Sequence, residues 1–291
     1  MKTQGERQCT CGHCEHQFNA VPEPRHRVTF GDSTVLADVE RALGPGVMAS
    51  MTFTDPPYNK NYIGGEGKRR RKIENDDLGA GFPAFLQDAC ATIIAMTTGA
   101  CYICMSPSEL ATLQDAWRKA GGHFAGFIVW AKDHFTLSGS DYQHQFEPLL
   151  YGWREGSKHY WCGDRTQGDV WNIAKPQRSD LHSTMKPVEL VERAILNSSK
   201  ERDIVLDPFG GSGTTMIACE RTGRSARLVE LDPLYTDTIV RRWMAFAGKD
   251  ATLEATGQTF NSVAAERVPE VMAQIEAGPT ENADEPTGVN A

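Results

Sequence analysis

Ile204-Val205-Leu206-Asp207-Pro208-Phe209-Gly210-Gly211-Ser212-Gly213-Thr214 decides the fold class of this 291-residue chain. Its apolar start ends on a carboxylate and a proline, as a buried strand does where it stops. The glycines that follow let the backbone bend and a ligand approach it, and the run then opens a helix. Glu230, twenty residues after Gly210, closes the next apolar stretch in Leu228-Val229-Glu230-Leu231-Asp232. An acid at that offset accepts hydrogen bonds from ribose hydroxyls. The glycine spacing departs from the dinucleotide fingerprint, which disfavours a pyrophosphate cofactor. An ordinary strand–turn–helix with a glycine-rich bend is the alternative, and the ribose-spaced acid weighs against it.

A second strand ends in a similar way upstream. The run 47–54 is apolar and stops on Asp55-Pro56-Pro57-Tyr58. Two prolines lock a stiff loop there. The loop offers a carboxylate, carbonyls with no competing N–H, and an aromatic face, a set suited to holding a planar, amine-bearing ring. Read alone, the tetrapeptide serves equally as a structural turn.

Between these loops, strands and helices alternate, which implies a largely parallel sheet covered on both faces. Strands are expected at 27–30, 47–54, 100–105, 124–130, 146–153, 203–206 and 225–230. Helices are expected from about 34 to 43 and at 83–97, 108–120, 187–199, 213–222 and 233–246, with a short one at 263–277. Ser106 or Ser108 is the expected N-cap of the third, and Pro187 stands in the first turn of the fourth. Residues 132–145 and 154–181 read as irregular and too long for plain connections. The expected organisation is a Cys/His-rich lead over 1–25, a main domain over 26–260, and an acidic, largely disordered tail over 261–291.

Composition is that of an ordinary globular protein, 40% hydrophobic and 23% charged. No run reads as a membrane span or an export signal, so no membrane partner and a cytoplasmic setting are expected. The net charge of −8 is concentrated at the end: residues 250–291 carry −7, leaving −1 on the rest. The bases of the main body can therefore cluster locally. Lys68-Arg69-Arg70-Arg71-Lys72 is such a cluster. It reads as a solvated loop by itself and as a phosphate-contacting segment beside the Asp55 loop. Eight scattered cysteines make no disulfide framework, and Cys101 and Cys104 sit in an apolar strand as small hydrophobes. Cys9, Cys11 and Cys14, with His16 or nearby His13 or His26, could form a zinc knuckle, although the second cysteine pair of a full ribbon is missing.

Asp55-Pro56-Pro57-Tyr58, the later Phe209-to-Gly213 loop and His182-Ser183-Thr184-Met185-Lys186-Pro187 just ahead of it resemble, in that order, the amino-group DNA methyltransferases. The order resembles the family's beta arrangement, with the catalytic half before the methyl-donor half, and covers about residues 26–260. Gly31-Asp32-Ser33 resembles a short family motif upstream. Ser183 stands where the family often has Pro. The resemblance implies a Rossmann-like S-adenosylmethionine-dependent methyltransferase fold with circularly permuted motif order and one antiparallel strand near the end of its sheet. It implies that Asp207, Phe209, Gly210, Gly211, Ser212, Gly213 and Thr214 line the methyl donor. Glu230 would hold the ribose, Asp32 would reach the adenine end, and Thr184 and Lys186 would close the methionine end. Asp55, Pro56, Pro57 and Tyr58 would be catalytic. Asp at 55 points to adenine, whereas relatives with Ser there tend to act on the cytosine amine.

The chemistry suits those residues. An exocyclic amine is a poor nucleophile because its lone pair is delocalised into the ring. Asp55 and the Pro56 carbonyl, accepting its N–H groups, would favour a pyramidal nitrogen aimed at the sulfonium methyl. Tyr58 would stack on the flipped base. Double-stranded DNA is the expected partner, in a restriction–modification, orphan or phage setting, with a homodimer as the family's common state. Residues 132–145 and 154–181, with His134, Tyr142, His144, His159, Tyr160, Trp161, Arg165 and Arg178, are the candidate target-recognition elements. The alternatives are cytosine-N4 transfer and a non-catalytic nucleic-acid-binding protein. An RNA or protein-glutamine methyltransferase is a further one; chain order and Asp rather than Asn at 55 argue against the glutamine type.

Overall fold

The computed structural model describes residues 8–10, 17–19, 25–64, 71–137, 139, 141–163, 165–175 and 185–267. The chain divides into two compact units, Met1–Ile239 and Val240–Ala291. The first unit contains twelve strands among its described residues. β1 (Gln8–Thr10) pairs with β2 (Gln17–Asn19). Eight others form one sheet: β3 (Arg27–Phe30), β4 (Met51–Thr54), β7 (Cys101–Cys104), β8 (Gly122–Thr136), β9 (His144–Arg154), β10 (Val170–Asn172), β11 (Ile204–Asp207) and β12 (Ser225–Glu230). The short β5 (Ile63–Gly64) and β6 (Arg71–Lys72) pair apart from it.

The sheet order is β10-β8-β9-β7-β4-β11-β12-β3. β9 runs antiparallel to both its neighbours, and the remaining adjacent pairs are parallel. One antiparallel strand in a mostly parallel sheet is what the resemblance implies. Helices α1 (Leu36–Leu43), α2 (Phe82–Met96), α3 (Leu110–Lys119), α4 (Val188–Ser198), α5 (Thr214–Thr222) and the start of α6 (Pro233–Ala247) complete this unit.

The central strands are buried on both faces, so they read as unbroken apolar runs. β7 shows the division. Ile103 packs into a core with Leu86 and Ile93 of α2 and Trp117 of α3. Its neighbour Tyr102 points the other way and shares a 2.7 Å hydrogen bond with Ser198 of α4. The buried thiols fit packing: burial pushes Cys101 up to about 12, and Cys90, Cys104 and Cys219 are raised by the same cause. Residues 79–96 have the length and hydropathy of a membrane span, contrary to expectation, but half of that window is buried and α2 is a core helix.

Several elements differ from their expected form. The stretch 132–145 is irregular only in part: β8 extends to Thr136 and β9 begins at His144, and the two strands pair again at Thr136 and His144 after a register shift beyond Ala131. Pairing lets each strand satisfy the other's backbone N–H and C=O groups. The stretch 154–181 likewise contains an edge strand, β10, with Trp171 buried. Ser106 and Ser108 do not cap α3; a 3-10 turn over Pro107–Glu109 precedes it, and the two hydroxyls bond each other at 3.0 Å. Pro187 is the N-cap of α4 rather than part of its first turn.

The candidate zinc site is only partly described. Cys9 lies in β1, while Cys11, Cys14 and His16 lie outside the described residues. His26 is excluded as a ligand, because Nε2 meets Glu220 at 2.6 Å and Nδ1 accepts the Ala226 N–H at 3.1 Å. Among the described residues no group of three or more His, Cys, Asp or Glu side chains is placed to hold a metal.

In the second unit, a bridge joins Thr252 to Thr259 ahead of α7 (Phe260–Arg267), where Arg241 lies 4.8 Å from the Phe260 ring. The helix expected at 263–277 thus starts earlier, and residues 268–291 lie outside the described residues.

Candidate active site

β4 and β11 are adjacent and parallel, so the loops leaving their carboxyl ends stand side by side. In open α/β sheets that edge is where ligands bind. A cleft of about 260 Å³ lies there, lined by both loops and by the end of β12. Asp55, Pro56, Pro57 and Tyr58 meet Lys186, Asp207, Phe209, Gly210, Gly211, Ser212, Thr214 and Glu230 around it. Of the residues assigned to the cleft from sequence, these twelve come together.

On the β11 side, the carboxylates hold the loop in shape. Asp207 is buried and accepts hydrogen bonds from Thr54 Oγ1 (2.8 Å), Thr215 Oγ1 (2.6 Å) and the Phe209 N–H (3.2 Å). Burial pushes its carboxyl up to about 7, against the pull of those donors. Glu230 receives the Gly211 N–H on Oε2 at 2.7 Å and the Asp232 N–H on Oε1 at 2.9 Å. Burial raises it as well. Each carboxylate oxygen has two acceptor sites, so Glu230 keeps capacity toward the cleft it lines. Thr214 Oγ1 reaches the Lys186 carbonyl at 3.4 Å, tying the glycine loop to the segment before α4.

Two residues assigned to the donor do not line this cleft. Gly213 does not line the cleft; it is the N-cap of α5 at φ 77°, and a Cβ would lie 2.9 Å from Ile239. Its glycine is required by backbone shape and packing. Asp32 does not line it either. Its carboxylate accepts the Thr34 N–H (2.8 Å) and hydroxyl (2.7 Å), closing its own turn, while Gly31 and Ser33 face the cleft. Thr184, Lys68, Arg69 and Arg70 lie outside the described residues, as does Arg178; Arg71 and Lys72 form β6.

On the β4 side, charges gather. Asp55 receives the Tyr58 hydroxyl on Oδ1 at 2.5 Å and Lys186 Nζ on Oδ2 at 2.8 Å. Lys186 also contacts Glu147 Oε2 at 3.0 Å and donates to the Tyr58 hydroxyl oxygen at 3.1 Å. Glu147 Oε1 meets Lys132 Nζ at 2.5 Å. Burial alone would raise the Glu147 carboxyl, but Lys186 and Lys132 outweigh it and hold it at about 2. Burial would likewise lower Lys186, and Asp55 with Glu147 reverse this, keeping it cationic. Tyr58 is raised by burial and then by the two carboxylates, so its hydroxyl stays protonated as a donor.

Three contributors escaped the sequence reading. Asp76 is buried and collects the N–H groups of Tyr58 (2.8 Å), Lys60 (3.2 Å) and Tyr62 (2.7 Å), shaping the chain after the prolines. Glu147 and Lys132 stand on the paired strands β9 and β8. Their signal was a charge set in an otherwise apolar run: Phe146-Glu147-Pro148-Leu149-Leu150 and Val129-Trp130-Ala131-Lys132.

With the two loops placed side by side, the match to known proteins can be read against the geometry. A family model described as DNA methylase matches residues 49–241, a span that contains β4 through β12. The chain belongs to the DNA methylase family. Type II methyltransferase M.Cfr9I of Citrobacter freundii is 31% identical over 139 residues, covering 44% of this chain and 46% of that protein. The chain thus matches less than half the length of that relative. DNA adenine methyltransferase YhdJ of Escherichia coli is 26% identical over 254 residues, covering 74% of this chain and 81% of that one. Among solved structures, the M1.HpyAVI–SAM complex matches with a TM-score of 0.57 at 22% identity, over 75% of this chain and 99% of that one. PvuII DNA methyltransferase, described as cytosine-N4-specific, matches at 0.56 and 16% identity, over 88% and 96%. These structural likenesses establish the DNA methylase fold.

Proposed function

We propose that this chain transfers a methyl group from S-adenosylmethionine to the N6 amine of an adenine flipped out of double-stranded DNA. The observation that carries the reading is the single cleft shared by the Asp55 loop and the Gly210–Thr214 loop. It supports the reading because the Asp55 carboxylate, suited to accept an amine, borders the same cleft as the glycine loop.

The residues present fit the donor. Glu230 offers a hydroxyl acceptor, and Leu231 and Tyr235 add apolar wall at the same end of the cleft. When bound, S-adenosylmethionine supplies an electrophilic sulfonium methyl. The chain's part is to position. Asp55 and the Pro56 carbonyl accept the amine N–H groups, which localises the nitrogen lone pair, and the half-buried Tyr58 supplies a stacking face. Charge that develops on the amine nitrogen is met by Asp55. No covalent nucleophile is required, in keeping with the burial of Cys90, Cys101, Cys104 and Cys219.

Asp rather than Ser at position 55, together with the likeness to an adenine methyltransferase, supports adenine over cytosine. The relatives named as Type II methyltransferases support a restriction–modification setting. Long-read sequencing of DNA from a host expressing the chain tests the reading. N6-methyladenine at a fixed sequence context is expected. N4-methylcytosine would overturn the base assignment, and unmodified DNA would overturn the activity.

A further inference from the structure

Glu147 is a half-buried carboxylate, its side chain 19% exposed, in an otherwise apolar run of strand. A charge in such a place is costly unless it is paired, and its partners are specific: Lys132 on Oε1, Lys186 and the Tyr58 hydroxyl on Oε2. Neither Glu147 nor Lys132 lines the cleft, and Glu147 reaches it through Lys186 and Tyr58, which do.

Those groups include the cation that sits on Asp55. Both oxygens of Asp55 are engaged, Oδ1 by the Tyr58 hydroxyl and Oδ2 by Lys186. A carboxylate with an ammonium at 2.8 Å is a weak acceptor for a neutral amine. That ammonium also repels the positive charge the amine nitrogen gains as the methyl group arrives. Lys186 has three N–H donors, and they fork among Asp55, Glu147 and Tyr58. Glu147 is the other anion within its reach. Lys132, 9% exposed on the neighbouring strand, holds the opposite oxygen of Glu147 and fixes it in place.

We propose that Glu147 is a positioning residue for methyl transfer: it draws the Lys186 ammonium off Asp55, so that Asp55 can accept the N–H of the incoming amine. The proposal rests on the reading above, in which Asp55 receives that amine. Lys132 keeps Glu147 anionic and aimed at Lys186, and the Tyr58 hydroxyl, shared between the two carboxylates, keeps the set in register.

A double-mutant cycle tests this, with full-length Glu147→Gln, Lys186→Met and the pair, in single-turnover reactions at saturating DNA and donor. Glu147→Gln keeps the side chain's shape and removes its charge. Its transfer rate is expected to fall on the order of 10²-fold, as for misplaced reacting groups. Donor affinity by calorimetry should stay near wild type, the melting temperature should remain well above the assay temperature, and Glu147→Asp should recover part of the rate. In the Lys186→Met background, Glu147→Gln should change the rate by less than about twofold, because the cation it manages is gone. Equal rate losses in both backgrounds would overturn the proposal, as would a loss confined to DNA affinity or one that follows melting. A wild-type protein that methylates no amine would instead sink the functional reading, and that outcome is visible without any variant.

Discussion

Two strands of the sheet end on an aspartate followed by proline, and the two aspartates are used in opposite ways. Asp207, at the end of β11, is surrounded by neutral donors that come from nearby turns and the adjacent strand. It shapes a loop and carries no ion pair among its described contacts. Asp55, after β4, is held by a hydroxyl three residues on and by a lysine far along the chain, which is itself shared with Glu147. One half of the cleft is a backbone cradle held by neutral hydrogen bonds. The other is a network of paired charges. Burial dominates the first, raising Asp207 to about 7. Ion pairing dominates the second, lowering Glu147 to about 2.

The largest expected effect breaks the halves apart. Asp55→Ala should lower methyl transfer by about 10³-fold or more, the scale seen when a transition-state contact is removed. Donor binding by calorimetry should change little, since Asp55 lies on the other wall. Loss of both together would show that the halves are not separable. The reverse split is expected for Glu230→Ala. Donor affinity should weaken about 10- to 100-fold, the worth of hydrogen bonds to a charged acceptor, with DNA affinity retained; an unchanged donor affinity would remove Glu230 from that site.

The opposite carboxyl shifts predict opposite pH slopes in stability. Asp207 is raised, so its stabilising contribution is present below its unfolded value of 3.8 and is lost as pH rises through about 7. Glu147 is depressed, so its contribution is present above 4.5 and is lost as pH falls through about 2. These are on the order of 4 kcal/mol at most for Asp207 and 3 kcal/mol at most for Glu147. Urea unfolding across pH should show Asp207→Asn flattening the slope between pH 4 and 7, and Glu147→Gln flattening the acid limb alone. Smallest is Gly213→Ala, expected to cost about 1–2 kcal/mol for the left-handed backbone. A melting temperature equal to wild type would mean the loop relaxes freely there.

The same contrast explains what the sequence disclosed. The Gly210–Thr214 loop and Glu230 were legible because their chemistry is local: strand, carboxylate, glycine turn and helix follow one another within one stretch of chain. Asp55-Pro56-Pro57-Tyr58 was legible for the same reason. Lys186 was singled out for the donor's methionine end, yet its ammonium lies on Asp55. That pairing depends on how the segment before α4 meets the β4 loop. Glu147 and Lys132 were hidden because β8 and β9 had to pair before the two charges could face each other. Asp76 was hidden in a polar run whose only sign of order is the loop it caps. Asp32 and Gly213, assigned to the donor from sequence, are engaged in local turns and do not line the cleft.

Transfer to a defined duplex tests the central claim most directly. Purified protein is incubated with double-stranded DNA and methyl-labelled S-adenosylmethionine, the DNA is digested to nucleosides, and the label is located by mass spectrometry. The expected result is label in N6-methyldeoxyadenosine with wild-type protein and none with Asp55→Ala. Label in the Asp55→Ala reaction equal to wild type, or no label with either protein, would contradict an amine-transfer site built on the Asp55 loop.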